Sequence, residues 1–276
     1  MVHLQNLSFS YSKNRKIFSD LSLNIEKGTI CGLLGKNGVG KTTLLNLMAG
    51  LLRPSTNASI SVMGYEPFAR SVEFLSSVFI LPEEFSLPRT SVQKFAELYG
   101  RFYPQFSWEL FEEVLGLFEV SASEKLNTIS FGQRKKAYIA FAVACRTKLL
   151  IMDEPTNGLD IPSKMAFRRI IAQVMNDERT IVISTHQVRD LEEMLDRIIV
   201  LENEGVLLNA SVGEITEKLR FELLDSPEGA LFAQQSLQGL VGVRENTEGG
   251  ETMLDLELLF NAVVQSSERV AQIFEK

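Results

Sequence analysis

One stretch of this 276-residue chain has the residue types and spacing that hold a phosphate chain. It matches G-x-x-x-x-G-K-[ST] and comprises Gly35, Lys36, Asn37, Gly38, Val39, Gly40, Lys41 and Thr42, with Thr43 directly after it. The glycines let the backbone approach a phosphate with no Cβ in the way, so that successive N–H groups can point at its oxygens. In such a loop Lys41 reaches the β- and γ-phosphates, and the Thr42 hydroxyl coordinates Mg²⁺.

A second stretch supplies carboxylates. Residues 149–154 form an apolar run that ends in Asp153 and Glu154. A carboxylate at the end of a buried strand needs a partner, and a metal ion beside the phosphate loop is the natural one. We therefore predict that Asp153 belongs to the Mg²⁺ shell and that Glu154 takes a proton from an attacking water. Taken alone, the pair would more often be two solvated acids, because acids are mostly exposed. The phosphate loop on the same sheet reverses that preference.

The hydrophobic pattern predicts the elements that position these two stretches. Residues 29–34 indicate a strand buried on both faces before the loop, and residues 41–52 indicate a helix after it that Pro54 ends. Further strands are predicted at 59–63, 78–81, 149–152, 180–184, 198–201 and 206–208, and further helices at 131–146, 163–175 and 188–195. Buried strands that alternate with helices are typical of a parallel sheet in an α/β fold.

Two regions before residue 130 depart from this alternation. Residues 2–26 alternate apolar and polar, which predicts two antiparallel strands joined by a turn at 12–15. Residues 88–128 predict a helical subdomain. Its apolar residues at helical spacing are Phe95, Leu98, Phe102, Phe111, Val114, Leu115 and Phe118. We interpret this aromatic-rich block as packed core and not as a ligand pocket.

The pattern changes again near residue 212. We predict an ATP-binding domain over residues 1–211 and a small α+β accessory domain over 212–276. Within the accessory domain the expected elements are strands at 221–224 and 253–256, helices at 230–237 and 261–274, and a polar turn at 245–251. Capping of the sheet, dimerisation and regulation are all open as roles for it.

Composition restricts the classes of function. The net charge of −7 and the short basic run at 134–136 argue against direct binding of nucleic acid. Cys31 and Cys145 lie in apolar stretches at no metal-binding spacing, so we expect two reduced, buried thiols. The N-terminus lacks a signal-peptide pattern, and no apolar run reaches the about 20 residues that span a bilayer. Any membrane role is therefore expected to depend on a partner.

The motifs together resemble the nucleotide-binding domain of the ATP-binding cassette family over about residues 1–210. Besides the phosphate loop and the acidic strand end, four elements in family order carry the resemblance. They are Tyr11, the signature-like Ile129-Ser130-Phe131-Gly132-Gln133, the D-loop-like Gly158-Leu159-Asp160, and His186. Each alone has a simpler interpretation, such as a helix cap for Ser130 or a structural role for Tyr11 and His186. Their joint order and spacing favour the family.

The resemblance implies roles for these residues. Ser130, Gly132 and Gln133 would bind a phosphate of the ATP held by an opposite subunit, because they open a helix whose N–H groups attract anions. The resemblance also places Asp160 among the nucleotide-binding residues. His186 would contact the γ-phosphate, and the ring of Tyr11 would stack on adenine. Two chains would then face head to tail around two ATP molecules.

This sequence departs from the family pattern at two positions. Phe131 occupies the place of the first signature glycine, where a bulky side chain narrows the approach of a phosphate. Glu83 occupies the place of the usual glutamine before the helical subdomain, where we expect it to bind Mg²⁺ or to sense a partner.

The resemblance also implies a fold and a function. The fold would be a P-loop NTPase core with a mixed sheet, an N-terminal antiparallel β-subdomain, a helical subdomain and the C-terminal α+β appendage. The chain would hydrolyse ATP with Mg²⁺ as the energy-coupling subunit of a transporter, at the cytoplasmic face of the membrane. Its partners would be a separate membrane-spanning permease subunit and a second ATP-binding subunit, identical or different.

Two other classes remain as alternatives. A soluble cassette ATPase could act on ribosomes or nucleic acid, but the chain has one phosphate loop, an acidic balance and no sustained heptads. A P-loop kinase or other NTPase is the third class, against which the signature, Asp160 and His186 argue. Neither the transported substrate nor the direction of transport is encoded in these motifs.

Overall fold

The computed structural model describes residues 1–12, 15–54, 58–187, 190–202, 204–237, 239–247, 249–250 and 252–275. The strands are β1 (Val2–Ser12), β2 (Arg15–Ile25), β3 (Ile30–Leu34), β4 (Ser59–Val62), β5 (Val78–Leu81), β6 (Leu149–Asp153), β7 (Thr180–Thr185), β8 (Arg197–Glu202), β9 (Gly205–Ser211), β10 (Leu219–Leu224), β11 (Phe232–Ser236) and β12 (Gly239–Glu245). The α-helices are α1 (Lys41–Met48), α2 (Val72–Ser77), α3 (Val92–Tyr99), α4 (Trp108–Leu117), α5 (Phe131–Ala144), α6 (Ile161–Val174), α7 (Val212–Lys218), α8 (Leu256–Gln265) and α9 (Ser267–Glu275).

The central sheet has the order β5-β6-β7-β3-β8-β9. Its first five strands run parallel and β9 pairs antiparallel with β8, so the sheet is mixed. Every residue of β3, β6 and β7 is buried, because helices and a second sheet cover both faces. The strands predicted from apolar runs, and the α/β fold they indicate, are confirmed.

A smaller sheet of order β2-β1-β4 lies against one face of the central sheet. The predicted antiparallel pair of N-terminal strands is confirmed, while the turn predicted at 12–15 lies partly outside the described residues. Buried apolar side chains of this sheet pack with α1 and with residues such as Leu33 and Ile199. The opposite face of the central sheet packs on α5 and on the helical block around α3 and α4.

The helical block is less continuous than predicted. α3 ends at Tyr99, a 3-10 turn covers Gly100–Phe102, and α4 starts after Pro104 and Ser107. The predicted core interpretation is wrong for two of its residues, since Leu98 is 41% and Phe102 65% exposed. Phe102 leaves the helical period because the chain tightens after Gly100. The other five apolar residues of the predicted set are buried.

The C-terminal region combines a three-stranded sheet of order β10-β12-β11 with α7, α8 and α9. Two predictions here are wrong. Residues 230–237 were expected to be helical but include β11, because pairing with β12 overrides the helix propensity of Ala, Leu and Gln. Residues 253–256 were expected to be a strand but lead into α8, which the Asp255 carboxylate caps by accepting from the N–H groups of Glu257 and Leu258.

The other predicted elements after residue 187 are confirmed in part. The strand at 221–224 is confirmed within β10. The helix expected at 261–274 is two helices, α8 and α9, that break at Ser266. The polar turn predicted at 245–251 lies partly outside the described residues. The helix predicted at 188–195 also lies partly outside them, and its described part holds a 3-10 turn at Glu192–Met194.

Both cysteines are free and buried as predicted, and burial raises the pKa of Cys31 to about 11.

Within the described residues, no helix is both long enough and apolar enough to cross a bilayer.

The helix after the phosphate loop ends earlier than predicted. α1 stops at Met48 because Gly50 adopts a left-handed conformation, with φ +69°. Gly50 N donates to Leu47 O and Leu51 N donates to Asn46 O, the paired bonds that close a helix with a left-handed C-terminal residue. The carbonyl of Pro67 occupies the place where a Cβ of residue 50 would lie. Only glycine fits this position.

Gly50→Ala is expected to destabilise the protein by about 2–5 kcal/mol, since it combines a left-handed alanine with a backbone clash. Gly116→Ala is the control, because a Cβ at this position of α4 meets no atom within 4 Å. That change is expected to stabilise the protein by about 0.5–1 kcal/mol, since alanine has less freedom to lose. Urea denaturation at constant m-value measures both. Equal effects of the two changes would contradict this account of α1.

Candidate functional site

The phosphate loop lies at the carboxyl end of β3 and leads directly into α1. Gly38 and Gly40 have φ of +82° and +112°, which side-chain-bearing residues rarely adopt. A Cβ on Gly40 would lie 2.7 Å from Ile17 Cγ2 and 2.8 Å from Phe18 Cζ. The loop therefore needs glycine at position 40 both for its conformation and for its contact with β2.

Lys41 is buried inside the concave side of the loop, with 7% of its surface exposed. Its ammonium donates to Gly35 O at 2.7 Å and to Lys36 O at 3.3 Å. Burial lowers the pKa of Lys41, and the nearby Glu154 and Asp153 carboxylates oppose that shift. A desolvated cation held among carbonyls attracts a phosphate oxygen more strongly than one in water does.

Asp153 meets the phosphate loop although 111 residues separate it from Thr42. The Thr42 hydroxyl donates to Asp153 Oδ2 at 2.6 Å, and the Ser184 hydroxyl donates to Asp153 Oδ1. Ser184 was not identified from the sequence; the available signal was its place near the end of β7, whose register pairs it with Asp153. The site thus offers a hydroxyl and a carboxylate oxygen side by side, the donor types that Mg²⁺ prefers.

Glu154 is 4% exposed and has φ +47°, an uncommon backbone conformation for a glutamate. Its carboxylate accepts from the backbone N–H of His186 at 3.4 Å, and Oε1 lies 2.8 Å from His186 Nδ1. The same Oε1 lies 3.9 Å from Lys41 Nζ. A buried carboxylate is thereby held between a cation and an imidazole at the end of β6.

These groups surround a cleft of about 440 Å³. Its lining residues are Tyr11, Arg15, Ile17, Asn37, Gly38, Gly40, Lys41, Thr42, Thr43, Glu83, Asp153, Glu154 and His186. Arg15 and Ile17 were not identified from the sequence. Three predicted loop residues, Gly35, Lys36 and Val39, do not line the cleft, and the Lys36 side chain points away to pair with Glu202 at 3.0 Å.

Two predicted residues stand at the rim of the cleft. The ring of Tyr11 is half exposed, packs edge-on against Phe9, and has the Arg15 guanidinium 5.7 Å from its centroid. Its hydroxyl lies 3.1 Å from Thr43 Oγ1. Glu83 follows β5, next to the strand that carries Asp153, and its Oε1 accepts from Asn157 Nδ2 at 2.9 Å.

The signature-like residues and Asp160 do not line this cleft. Ser130 caps α5: its hydroxyl accepts from Gln133 N at 3.2 Å, and Gln133 Oε1 accepts from Ser130 N at 3.2 Å. Gly132 lies in the first turn of α5, and Asp160 caps α6 by accepting from Ser163 N at 2.9 Å. Within one chain, the helix-cap interpretation of Ser130 therefore holds.

Phe131 is 45% exposed beside the signature, and its ring stacks on Phe85 at 5.4 Å between centroids. Its side chain does not enter the cleft of its own chain. The departure from the family pattern therefore places an exposed aromatic ring beside Ser130, packed on Phe85 and outside the cleft of its own chain.

Comparison with known proteins identifies relatives of this chain. The sequence model of the ABC transporter family matches residues 18–157. The chain is similar to the ABC transporter ATP-binding protein NatA of Bacillus subtilis (strain 168), at 30% identity over 235 residues that cover 82% of this chain and 95% of the relative. It is also similar to the uncharacterized ABC transporter ATP-binding protein YdbJ of the same strain, at 30% identity over 232 residues covering 81% and 74%.

Solved structures show the same fold. The dimeric structure of a post-hydrolysis state of the ATP-binding cassette MJ0796, bound to ADP and Pi, has a TM-score of 0.68 at 23% sequence identity. It covers 77% of this chain, which in turn covers 99% of that one.

Proposed function

Because this chain belongs to the ABC transporter family, we propose that two such cassettes close head to tail around two Mg-ATP molecules and drive a separate membrane-spanning subunit. As a family member, the chain is an ATP-binding, ATP-hydrolysing subunit of an ABC transporter. The alternative of a soluble ATPase acting on ribosomes or nucleic acid is not favoured, because the matched relatives are transporter subunits.

The placement of Glu154 is the observation that carries the catalytic part of the proposal. Its buried carboxylate lies between Lys41 and His186, one residue from Asp153 and beside the phosphate loop. From there Glu154 accepts the proton of a water that attacks the γ-phosphoryl in line, and ADP leaves from the opposite side. Lys41 and His186 hold the γ-phosphate oxygens as negative charge develops on them.

The Thr42 and Asp153 oxygens fit a magnesium ion, because both are hard ligands at the place where the phosphates of a bound nucleotide end. Mg²⁺ bound there supplies charge that neutralises the β- and γ-phosphate oxygens. Ser184 orients the Asp153 carboxylate from behind. Glu83, exposed at the rim, would add a third carboxylate to the same edge, which an amide at this position would not.

Adenine would occupy the outer end of the cleft. The exposed ring of Tyr11 offers it a stacking surface, and Arg15 lies over the same ring. The phosphates would then reach inward along Gly38 and Gly40 to Lys41.

The position of the signature supports the head-to-tail arrangement. Ser130, Gly132 and Gln133 open α5 outside their own cleft, so they can reach a nucleotide only if another chain presents it. The first N–H groups of a 14-residue helix form a suitable anion site on that surface. Whether the second chain is an identical copy or a different cassette depends on residues of the partner.

An apolar groove supports docking of the membrane-spanning partner. The groove has a volume of about 560 Å³ and lies at the surface where the helical block meets β5 of the central sheet. Its exposed residues include Leu51, Val72 and Phe102, which are 50%, 77% and 65% exposed. A short amphipathic helix from a permease would cover this surface, which would hold the chain at the cytoplasmic face of the membrane.

The C-terminal region is proposed as an accessory unit that caps the central sheet. α8 and α9 pack on the outer strands β8 and β9, and Leu256 N donates to the Glu192 carboxylate at 2.7 Å. Its buried residues, such as Leu219 and Val243, continue the apolar core of the central sheet.

Co-purification tests the proposal. A tagged Glu154→Gln chain, expressed in its native host and purified from solubilised membranes with ATP, is expected to recover a multispanning protein in stoichiometric amount. Adding Val72→Asp and Phe102→Asp should abolish that recovery by charging the groove. Met253→Asp, an 83% exposed residue outside the groove, is the control. A soluble ATP-dependent dimer with no membrane protein attached would contradict the transporter role and favour the alternative.

A further inference from the structure

Lys135 is a buried cation that the proposed mechanism leaves without a role. It is 0% exposed, and Lys41 is the other lysine buried among the described residues. Lysine is rarely buried completely, because its ammonium loses its hydration. Burial lowers the pKa of Lys135 to about 8. Complete burial of the ammonium is unfavourable, so its hydrogen-bond partners should show what it stabilises.

The contacts of Lys135 indicate what it holds. Its ammonium donates to Glu154 O at 2.7 Å and to Asn157 O at 2.9 Å. These carbonyls are the first and last of the tight turn after β6, which we call the catalytic turn (Glu154–Asn157). Since Glu154 has a strained φ of +47°, its backbone needs support from outside the turn. Lys135 supplies it.

Two side chains of the catalytic turn contact residues that line the cleft. The Glu154 side chain contacts His186, and the Asn157 amide donates to Glu83. Lys135 itself belongs to α5, the helix that opens with Ser130 and Gln133. The Lys135 side chain thus connects α5, which we call the signature helix, to the backbone of Glu154. The Glu154 carboxylate faces the cleft of the same chain.

We propose that Lys135 is a positioning residue that fixes the catalytic turn to the signature helix and thereby orients the Glu154 carboxylate. The inference rests on the proposed function of Glu154. In a head-to-tail dimer, the signature helix contacts the nucleotide of the opposite chain. Lys135 then connects the helix that faces one nucleotide to the turn that carries Glu154 beside the other.

Lys135→Met and Lys135→Gln test this assignment in the full chain. The two side chains have the same length, and only glutamine retains an N–H donor. Lys135→Met is expected to lower kcat by about 10- to 100-fold, because a small misplacement of a catalytic group has effects of this size. The KM for ATP should stay within about threefold, since the phosphate loop is unchanged. Lys135→Gln should recover part of the lost kcat, because its amide donor is one atom closer to the backbone than the lysine ammonium.

Lys218→Met is the matched control. Lys218 donates to the Ile273 carbonyl at 3.0 Å in the C-terminal region, far from the cleft. Lys218→Met removes the same kind of ammonium–carbonyl hydrogen bond and should leave kcat and KM unchanged. A kcat for Lys135→Met within threefold of wild type would overturn the assignment, as would a glutamine variant no more active than the methionine variant.

A double-mutant cycle separates positioning from general stability. If Lys135 acts through Glu154, then adding Lys135→Met to Glu154→Gln lowers kcat no further. Fully additive losses would contradict the assignment. Should Lys135→Met fail to fold, as shown by its thermal transition, Lys135→Gln takes its place in the cycle. Wild-type turnover of Glu154→Gln alone would instead refute the proposed function and leave the contacts of Lys135 as a structural feature.

Discussion

Glu154→Gln is expected to lower kcat for ATP hydrolysis by about 100- to 10,000-fold, the usual contribution of a general base. The amide has the shape of the carboxylate and can still accept a hydrogen bond from the His186 backbone, but it cannot take a proton from water. ATP should still bind, because the phosphate loop and Lys41 are unchanged. The variant should therefore accumulate as a closed, ATP-bound dimer.

Phosphate release measures the turnover of this variant, and gel filtration with and without ATP measures its dimerisation. Glu84→Gln is the control, since it makes the same chemical change in an exposed carboxylate that does not line the cleft. Hydrolysis by Glu154→Gln at the wild-type rate would place the base elsewhere. Glu83 would then be the next carboxylate to replace, because it stands at the rim of the same cleft.

Lys41→Ala is expected to impair both binding and turnover. A hydrogen bond from a charged group contributes about 1.5–3 kcal/mol, so losing the contact to the phosphates should raise the Kd for ATP about 10- to 150-fold. The kcat should fall as well, because Lys41 also offsets the charge that develops on the γ-phosphate. The change leaves the Gly35 and Lys36 carbonyls without their donor, which could loosen the loop.

Titration calorimetry with Mg-ATP and steady-state hydrolysis measure the two effects. Lys41→Met serves as a second variant that retains most of the side-chain volume and separates the loss of charge from the loss of packing. Lys27→Ala is the control, since Lys27 forms an exposed ion pair with Glu178 away from the cleft. A normal kcat for Lys41→Ala would refute the assignment of the phosphate loop.

The sequence by itself determined the parts of this protein that depend on neighbouring residues. The phosphate loop, the helix that follows it and the acidic end of β6 are read from contiguous runs, because backbone conformation and burial along a short run follow from local residue types. The end of the helix after the phosphate loop was predicted too late. α1 ends at Met48 and not at residue 52, since the closing bonds at Gly50 outweigh the apolar pattern.

Predictions were wrong where a distant partner decides the outcome. Residues 232–236 are a strand because β12 lies beside them, and no local preference encodes that neighbour. The exposure of Leu98 and Phe102 likewise depends on what surrounds the helical block.

Only the tertiary structure determined how the site is assembled. The register of β6 and β7 brings Ser184 to Asp153, and the fold places His186 on Glu154 and buries Lys135 under the catalytic turn. It also keeps Ser130 out of its own cleft, an observation that supports the proposed completion of the site by another chain. These contacts join residues that are 19 to 32 positions apart. Their geometry is set by packing of whole elements, which a local pattern does not contain.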